Sequence, residues 1–254
     1  MSWVSPDGSA EGLGEALDTR GPLLTALAAG VGTKRELRDE LGVARSTVYK
    51  GLRELTTLGL VRETADGYAL TASGRLAEQM HTTYRERLEL LADAQSVLAS
   101  LPADAGVPPA FLEDATVATA DRHAPERPLT VFESLADEAK DIRSLSPAAV
   151  PRFMSDLHES VAAGAHRGIV VERPAAEALA AEYDGFDEAL ASGLAMYAID
   201  EPLPFGLTVF DDEGAALTTY DDGGVSGLLH STADGAVAWA RGTYESYRER
   251  GERL

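Results

Sequence analysis

The chain has 254 residues, enough for two domains of ordinary size, and it carries 42 acidic against 22 basic side chains, a formal net charge of −20. It contains no cysteine, which excludes disulfides and thiolate metal sites, and no apolar run long enough to span a bilayer. The N-terminus lacks the basic start and apolar core of a signal peptide, so a cytoplasmic protein is expected.

The acidic residues are unevenly distributed. Between Lys34 and Arg62 the basic residues outnumber the acidic ones, so the excess acid lies outside this segment. Lysine is rare and occurs only at Lys34, Lys50 and Lys140. Such a composition is typical of proteins that work at high internal salt, where the Debye length falls to about 3 Å at 1 M. The alternative is an acidic protein in ordinary salt.

The N-terminal segment predicts modest helical structure. Residues up to about 12 are small and polar and are expected to form a loose lead, with a short helix from Leu13 to Leu17. Pro22 fits the first turn of a further helix that ends before Gly30. The apolar side of that helix consists of leucines: Leu23, Leu24 and Leu27.

The stretch from Thr33 to Leu60 predicts two short helices that meet at a tight turn. Thr33 followed by Glu36 three residues later is the signature of a capping box. Gly42 ends the first helix, because glycine adopts the left-handed terminal conformation at low cost. The second helix, from Ala44 to Leu58, has an apolar face of Val48, Leu52, Leu55 and Leu58.

The opposite face of this second helix carries side chains suited to DNA. Arginine and lysine reach guanine or phosphate, serine and threonine reach either, and the first turn of such a helix points at the bases. The candidates for base reading are Arg45, Ser46, Thr47 and Tyr49, and those for phosphate contact are Lys34, Arg35, Lys50, Arg53 and Arg62.

A β-hairpin follows. Residues 60–63 and 68–70 are prone to form strands, and Asp66-Gly67 between them is a strong hairpin signal. Helix, turn, helix and hairpin together predict a winged helix-turn-helix domain over residues 1–70. The alternative is an ordinary helical hairpin followed by a surface hairpin.

A long helix is predicted from Thr71 to Ser100 and is assigned to a linker and dimerisation segment, residues 71–101. An apolar stripe runs along it through Met80, Tyr84, Leu88, Leu91 and Leu98. Such a stripe can pair with its copy in a second subunit, which predicts a homodimer. Alternatively, it packs against the second domain of its own chain.

Residues 101–109 are rich in proline and glycine and mark the boundary before a domain over residues 107–254. Strands and helices alternate beyond it, which predicts an α/β domain with a mostly parallel sheet. The predicted strands cover 116–120, 141–145, 168–172 and 194–199, then a hairpin at 207–210 and 216–220, and a further strand at 225–230. Helices are expected over 129–140, 150–163, 174–183 and 232–250.

Two stretches carry a family resemblance. GVARSTVYKGLRELTTLGLV, with the hairpin and LTASGR after it, resembles archaeal and bacterial winged-helix transcription regulators. PFGLTVFDDEGAALTTYDDGGVSGLLHSTADGAVAWARGTYESYRER is similar to the sensor domain of archaeal filament-growth and methanogenesis regulatory proteins. The resemblance implies a transcription regulator with a C-terminal sensing domain, and related sugar-responsive regulators imply a phospholipase-D-like fold for that domain.

Catalytic and metal chemistry is not expected. Enzymes of the phospholipase-D-like fold use a His-x-Lys pair, and none of the five histidines here is followed by lysine two positions later. No group of His, Asp and Glu has metal-ligand spacing, and no cofactor is implied. Gly223-Gly224 follows an Asp pair, which would repel phosphate, and is interpreted as a turn.

A ligand site is predicted where strands of the α/β domain end, because ligands of open α/β sheets bind there. The candidate residues are Ser144, Ser146, Arg152 and Glu172, which suit a polyol or another small polar effector. The competing interpretation is that these residues are helix caps and solvated loop positions. The whole sequence thus predicts a DNA-binding regulator; an effector-independent architectural protein and an enzyme are the alternatives.

Overall fold

The computed structural model describes residues 9–148, 152–221 and 224–254, without the side chains of residues 152 and 153. These residues form two compact units, one up to residue 89 and one from residue 90 onward. The division falls inside the helix that the sequence assigns to a linker. Each unit is described by itself.

In the described part of the first unit, three helices before the hairpin pack around a small leucine core. The helices are α1 (Ala10–Ala28), α2 (Lys34–Leu41) and α3 (Arg45–Thr57). Their buried aliphatic side chains include Leu24, Leu27, Leu37, Val48, Leu52 and Leu55. Because these residues recur at helical spacing, each helix turns one apolar face inward, and the predicted buried face of the second helix is observed.

The N-terminal helix is longer than the sequence suggests. Ser9 caps it by accepting a hydrogen bond from the backbone N–H of Gly12 at 3.1 Å, so residues 10–12 are helical and the expected loose lead is wrong there. The rest of that lead, residues 1–8, lies outside the described residues. Pro22 sits inside α1 and does not begin a separate helix. It removes one backbone donor, but Leu23 and Leu24 are buried and hold this turn in the core.

The turn between α2 and α3 follows the sequence prediction. The Thr33 hydroxyl accepts from the Glu36 N–H at 3.2 Å, and the Glu36 carboxylate accepts from the Thr33 N–H at 3.0 Å. This reciprocal pair satisfies two donors that a helix start otherwise leaves open, and it lowers the pKa of Glu36. Gly42 ends α2 in the left-handed region, with φ 63°.

A two-stranded antiparallel hairpin follows α3. It pairs β1 (Val61–Thr64) with β2 (Gly67–Leu70), in a register that sets Val61 opposite Leu70. Both of these side chains are buried in the leucine core, which fixes the hairpin to the helices.

The predicted long helix is observed as two helices, α4 (Ala72–Asp93) and α5 (Gln95–Leu98). Most of the predicted stripe on α4 is exposed: the exposed fractions are 71% for Met80, 54% for Tyr84, 38% for Leu88 and 42% for Leu91. Leu76, at 62%, extends it by one turn. Leu98 differs, because it packs against the core of the second unit.

The second unit is built on one eight-stranded sheet with the order β10-β6-β5-β4-β7-β8-β9-β3. The strands are β3 (Thr116–Thr119), β4 (Asp141–Ser146), β5 (His166–Glu172), β6 (Ala195–Ile199), β7 (Gly206–Phe210), β8 (Gly214–Asp221), β9 (Gly224–Ser231) and β10 (Glu252–Arg253). Among the described strands, only β4–β5 and β5–β6 are parallel pairs. The prediction of a mostly parallel sheet is therefore wrong, and the sheet is mixed. The hairpin β7–β8 pairs with β4 in antiparallel order, and β9 and β3 continue the sheet as further antiparallel strands.

Helices cover both faces of this sheet. They are α6 (Arg127–Glu138), α7 (Arg152–Ala162), α8 (Arg173–Glu182), α9 (Phe186–Ser192) and α10 (Asp234–Arg250), with a short 3-10 helix at Pro109–Leu112. The helices α5 and α10 and the 3-10 helix pack on one face, with Val170, Leu207 and Leu217 of the sheet. On the other face α6 packs near β9 and β3, and α7, α8 and α9 pack near β5 and β6. A cavity lies between these two groups of helices, at the middle of that face.

Candidate nucleic-acid interface and a cavity in the second unit

The outer face of α3 presents polar side chains to solvent. Arg45, Ser46, Thr47 and Tyr49 are exposed, whereas Val48 between them is fully buried. Ala44 precedes the helix and offers no side-chain cap. The first turn of α3 therefore holds backbone N–H groups and exposed hydroxyl, phenol and guanidinium groups together, an arrangement that can bind phosphate oxygens and base edges.

Close packing fixes the position of α3. An added Cβ at Gly51 would lie 2.3 Å from Cδ1 of Leu23 and 3.1 Å from Cδ of Arg20. An alanine here would therefore force the buried Leu23 side chain to move. Arg20 also donates to the Glu54 carboxylate at 2.9 Å, an ion pair that neutralises an acidic side chain of α3.

Several cations of this surface have no carboxylate partner. In the described parts of the chain, Arg45, Arg53 and Arg62 form no ion pair, and all three are exposed. Lys50 is exposed on the same helix. Arg35 is different, since its Nε lies 3.9 Å from the Asp39 carboxylate one turn along α2. The predicted phosphate contacts thus lie on three elements, α2, α3 and β1.

Lys34 is held by two aromatic rings. Its ammonium nitrogen is 5.1 Å from the ring centroid of Tyr49 on α3 and 5.1 Å from that of Tyr68 on β2. The Tyr68 hydroxyl raises the pKa of Lys34, and the Glu63 carboxylate adds to the effect. Lys34 therefore joins α2, α3 and the hairpin in addition to carrying a positive charge. Sequence reasoning missed Tyr68; its signal is an aromatic residue beside the hairpin turn.

The second unit contains a cavity of about 270 Å³ on the face of the sheet between α6 and α7. Its walls are apolar side chains of the helices, including Leu129, Phe132, Ala136, Met154, Leu157 and Leu179. Its floor is formed by side chains of β4, β5, β6, β7 and β8.

Hydroxyl groups line much of that floor. The Ser144 and Thr208 hydroxyls lie 3.0 Å apart, Thr218 donates to the Tyr220 hydroxyl at 3.3 Å, and Ser146 donates to the Ala148 carbonyl at 3.0 Å. Gly206 makes room for this group, because a Cβ there would lie 2.0 Å from Oγ1 of Thr218. Loss of hydration raises the pKa of Tyr220, so its phenol stays neutral. These hydroxyls make the floor polar without adding charge to it.

One buried cation, Arg167, borders the cavity. It is 6% exposed and forms no ion pair with any carboxylate in the described residues. Its guanidinium donates instead to the backbone carbonyls of Lys140, His166 and Ala139, at 2.9, 3.0 and 3.0 Å. Burial lowers its pKa, but an arginine remains charged. These bonds tie the end of α6 to β5.

The structure brings together only part of the predicted ligand set. Ser144 and Ser146 line the cavity. Glu172 does not line the cavity, because alternate residues of a strand face opposite sides of the sheet. Its side chain points with Val170 towards α10, and its carboxylate accepts from the Leu203 N–H at 2.8 Å. Arg152 begins α7, and its side chain lies outside the described residues. The predicted grouping of Ser144, Ser146 and Glu172 in one crevice is therefore not observed.

Sequence reasoning missed four polar side chains that the described strands contribute to the cavity floor: Arg167, Thr208, Thr218 and Tyr220. The sequence held a signal for two of them: Thr218 and Tyr220 lie two positions apart, and residues at that spacing share one face of a strand. Which strand lies beside them depends on the sheet order, and no local pattern reports that.

The described residues show neither a metal site nor a membrane-spanning helix. No group of three or more His, Asp or Glu side chains there could hold a metal ion. No helix in that part of the chain has the length and apolar character needed to cross a membrane.

Two family models match the chain. Residues 125–250 match the middle domain of the methanogenesis regulatory protein FilR1, and residues 15–93 match the HVO_A0261 N-terminal domain. The resemblance to archaeal regulatory proteins is confirmed. The FilR1-type match covers the cavity-lining residues and the strands of the sheet other than β3 and β10. The N-terminal match covers most of α1 and the whole of α2, α3, the hairpin and α4.

Solved structures give more distant similarity. TrmBL2, described as an archaeal chromatin protein with a novel mode of DNA binding, is 17% identical over 91% of this chain and 92% of its own, with a TM-score of 0.46. Nuc of Salmonella typhimurium, a phospholipase D family member, is 13% identical over 55% of this chain and 98% of its own, with a TM-score of 0.43. NucT of Helicobacter pylori is 10% identical over 55% of this chain and 98% of its own, with a TM-score of 0.39. A comparison with curated proteins gives no match.

Proposed function

We propose that the chain is a DNA-binding transcription regulator whose first unit is a winged helix-turn-helix domain. The observation that carries the proposal is the exposed outer face of α3, where Arg45, Ser46, Thr47 and Tyr49 surround an N-terminus free of any side-chain cap. In this proposal α3 enters the major groove and the β1–β2 hairpin lies beside it as the wing. The match to a regulatory protein family supports a regulatory role.

The net charge of −20 does not contradict DNA binding. Arg45, Arg53 and Arg62 are exposed and form no ion pair with a carboxylate in the described residues. The Glu54 carboxylate is neutralised by Arg20. The local surface is therefore cationic although the chain is acidic. At the high salt that the composition suggests, repulsion between DNA and distant carboxylates is screened beyond about 3 Å.

The test is a map of bound genomic sites followed by mobility shifts with a bound fragment. We expect the wild type to bind the fragment with an affinity that falls as salt rises, because bound phosphates release counterions. A wild type that binds no genomic fragment would contradict the proposal. The same map would name the regulated genes and separate a regulator, with few sites, from an architectural protein that binds widely.

We further propose that the protein acts as a homodimer through α4. Leu76, Met80, Tyr84, Leu88 and Leu91 form an exposed apolar stripe on one helix, and such stripes are rare on monomeric surfaces. A twofold dimer would present two α3 helices to half-sites about one helical turn of DNA apart.

Control by a small molecule that binds the second unit completes the proposal. The cavity offers an apolar enclosure with several convergent hydroxyls, which is the general character of a small-molecule site. An effector there can shift DNA affinity only by its differential affinity for two states of the protein, typically about 1–3 kcal/mol. In this proposal the protein is not an enzyme and works in the cytoplasm.

A further inference from the structure

We propose that the cavity between α6 and α7 binds an uncharged amphiphile, a small molecule with an apolar body and one or two hydroxyl or carbonyl groups. The inference deepens the proposed effector control and rests on it for its regulatory meaning. It replaces the expectation of a polyol with a ligand of a different chemical class. At about 270 Å³, the cavity suits a molecule at or below the small end of ordinary ligand sites.

The apolar walls of the cavity indicate a ligand with an apolar body. Phe132 and Ala136 of α6 face Met154 and Leu157 of α7 across the cavity, and Ile169 and Met196 of the sheet lie beneath them. A polyol would have to leave most of its hydroxyls against these side chains without partners, and each such unpaired group is costly. An apolar body instead gains free energy from the area it buries.

The hydroxyl groups of the cavity floor indicate which polar group the ligand carries. Ser144 and Thr208 share one hydrogen bond, so one of the two hydroxyl protons and several lone pairs stay available to a ligand. Thr218 and Tyr220 offer a second hydroxyl pair on the same floor. Hydroxyls both donate and accept, so they suit an alcohol or a carbonyl.

The charges around the cavity disfavour an ionic ligand. Asp137 and Asp156 are exposed lining residues, so they lie at the opening and repel an anion. The cation Arg167 does not offset them, because its charge is already balanced by the nearby carboxylates of Asp211 and Asp141, and three of its N–H groups donate to backbone carbonyls. None of the described residues that form the floor is a carboxylate, so a buried ammonium group would lack a counter-charge. A neutral polar group is the remaining match.

The methionines allow a direct binding test. The chain has four: Met154 and Met196 line the cavity, Met80 is exposed on α4, and the fourth is Met1. With 13C-methyl-labelled methionine, the full chain is titrated in molar KCl with 1-hexanol, sodium hexanoate and hexylamine, which share one chain length and differ in charge. We expect 1-hexanol to shift the Met154 and Met196 methyl signals while Met80 stays fixed, and the two ions to bind at least several-fold more weakly.

Two matched double variants test the polar floor. Ser144→Ala with Thr208→Val removes both members of one hydroxyl pair, a change that leaves no buried group unpaired. Thr219→Val with Ser226→Ala removes the neighbouring pair, 3.2 Å apart, which does not line the cavity. The first should weaken 1-hexanol binding roughly three- to tenfold, the value of one neutral hydrogen bond, and the second should leave it unchanged.

The inference is overturned by three outcomes: no shift at Met154 and Met196, tighter binding of either ion than of the alcohol, or equal binding by the two double variants. Each variant's urea transition is measured alongside, so that a folding defect is recognised. DNA affinity is measured separately with and without the alcohol. If Met154 and Met196 shift while DNA affinity is constant, the ligand class stands and the proposed effector control fails.

Discussion

The ammonium group of Lys34 lies 5.1 Å from the ring centroid of Tyr68, so the first residue of α2 contacts the second strand of the hairpin. The same ammonium lies 5.1 Å from the Tyr49 ring on α3. One side chain therefore couples the helix proposed to read bases to the hairpin proposed to lie beside it. This coupling makes Lys34 a positioning residue as well as a candidate phosphate contact.

Lys34→Met should loosen the hairpin, because methionine keeps the apolar stem and loses the charge that both rings attract. We expect faster amide hydrogen exchange at Tyr68 and Ala69 and weaker DNA binding. Arg35→Met is the matched control, since it removes a neighbouring positive charge that contacts neither ring. Equal hairpin exchange in the two variants would show that the aromatic contacts of Lys34 do not hold the hairpin.

Arg45→Ala and Lys50→Ala should weaken DNA binding in different ways. If Arg45 reads a base, its loss costs about 1–3 kcal/mol and relaxes sequence preference at one position. Loss of Lys50, a phosphate contact in this proposal, should weaken binding to all sequences and reduce the salt slope by about one unit. Mobility shifts at several salt concentrations distinguish the two effects. Arg85→Ala on α4, outside this surface, is the control, and wild-type binding by both test variants would refute the placement of α3.

Leu91→Glu should separate the proposed dimer without unfolding the chain. Leu91 is 42% exposed, so a glutamate there is hydrated in a monomer and is buried only against a partner. Sedimentation in high salt measures the change in mass. Gln79→Glu places the same charge on the same helix away from the stripe and should leave the dimer intact. A wild type that sediments as a monomer at micromolar concentration rules out this interface.

Gly51→Ala should destabilise the first unit. The new methyl group would meet Cδ1 of Leu23 at 2.3 Å, and overpacking of this kind costs about 1–3 kcal/mol, which outweighs the gain of about 0.5–1 kcal/mol in helix propensity. Gly14→Ala in α1 is the control, because nothing lies within 4 Å of its added methyl group. Thermal unfolding should show a lower Tm for the first variant and an equal or higher Tm for the second. The reverse order would contradict the close approach of α1 and α3.

His230 should make the second unit less stable in acid. Burial beside Phe210, with ring centroids 6.3 Å apart, lowers its pKa from the usual value of 6.5. The unfolded chain therefore binds a proton more readily than the folded one, so this contribution to stability is complete above about pH 6.5 and is lost as the pH falls below it. Urea unfolding between pH 7 and pH 5 should show a smaller loss in His230→Gln than in the wild type. His123→Gln, at an exposed position, should behave like the wild type, and identical pH profiles for all three chains would exclude this role of His230.

Local chemistry explains what the sequence predicts well. The capping box of Thr33 and Glu36, the left-handed Gly42 and the Asp66-Gly67 hairpin each depend on residues a few positions apart, and all three are observed. The exposed face of α3 follows in the same way from helical spacing. Pro22 shows the limit of such rules, since the burial of its neighbours Leu23 and Leu24 overrides its preference for a helix start.

Sheet order and strand facing explain what the sequence does not predict. Alternation of strands and helices suggested parallel pairing, but β7 inserts beside β4 in antiparallel order. The ligand prediction treated strand ends as one group, whereas Ser146 and Glu172 leave their strands on opposite faces. A register shift between Thr219 and Tyr220 further changes how β8 pairs with β9. Each of these features depends on contacts between segments far apart in sequence.

The two-residue strand β10 has a practical consequence. Glu252 and Arg253 pair with Ala198 and Tyr197, and the Leu254 N–H donates to the Met196 carbonyl at 3.0 Å, so the last residues occupy the hydrogen-bonding edge of β6. Glu252 is held there by Arg173 at 3.0 Å. An uncovered edge strand is a template for aggregation. Removal of residues 252–254 should therefore promote fibrous or amorphous self-association of an otherwise folded chain.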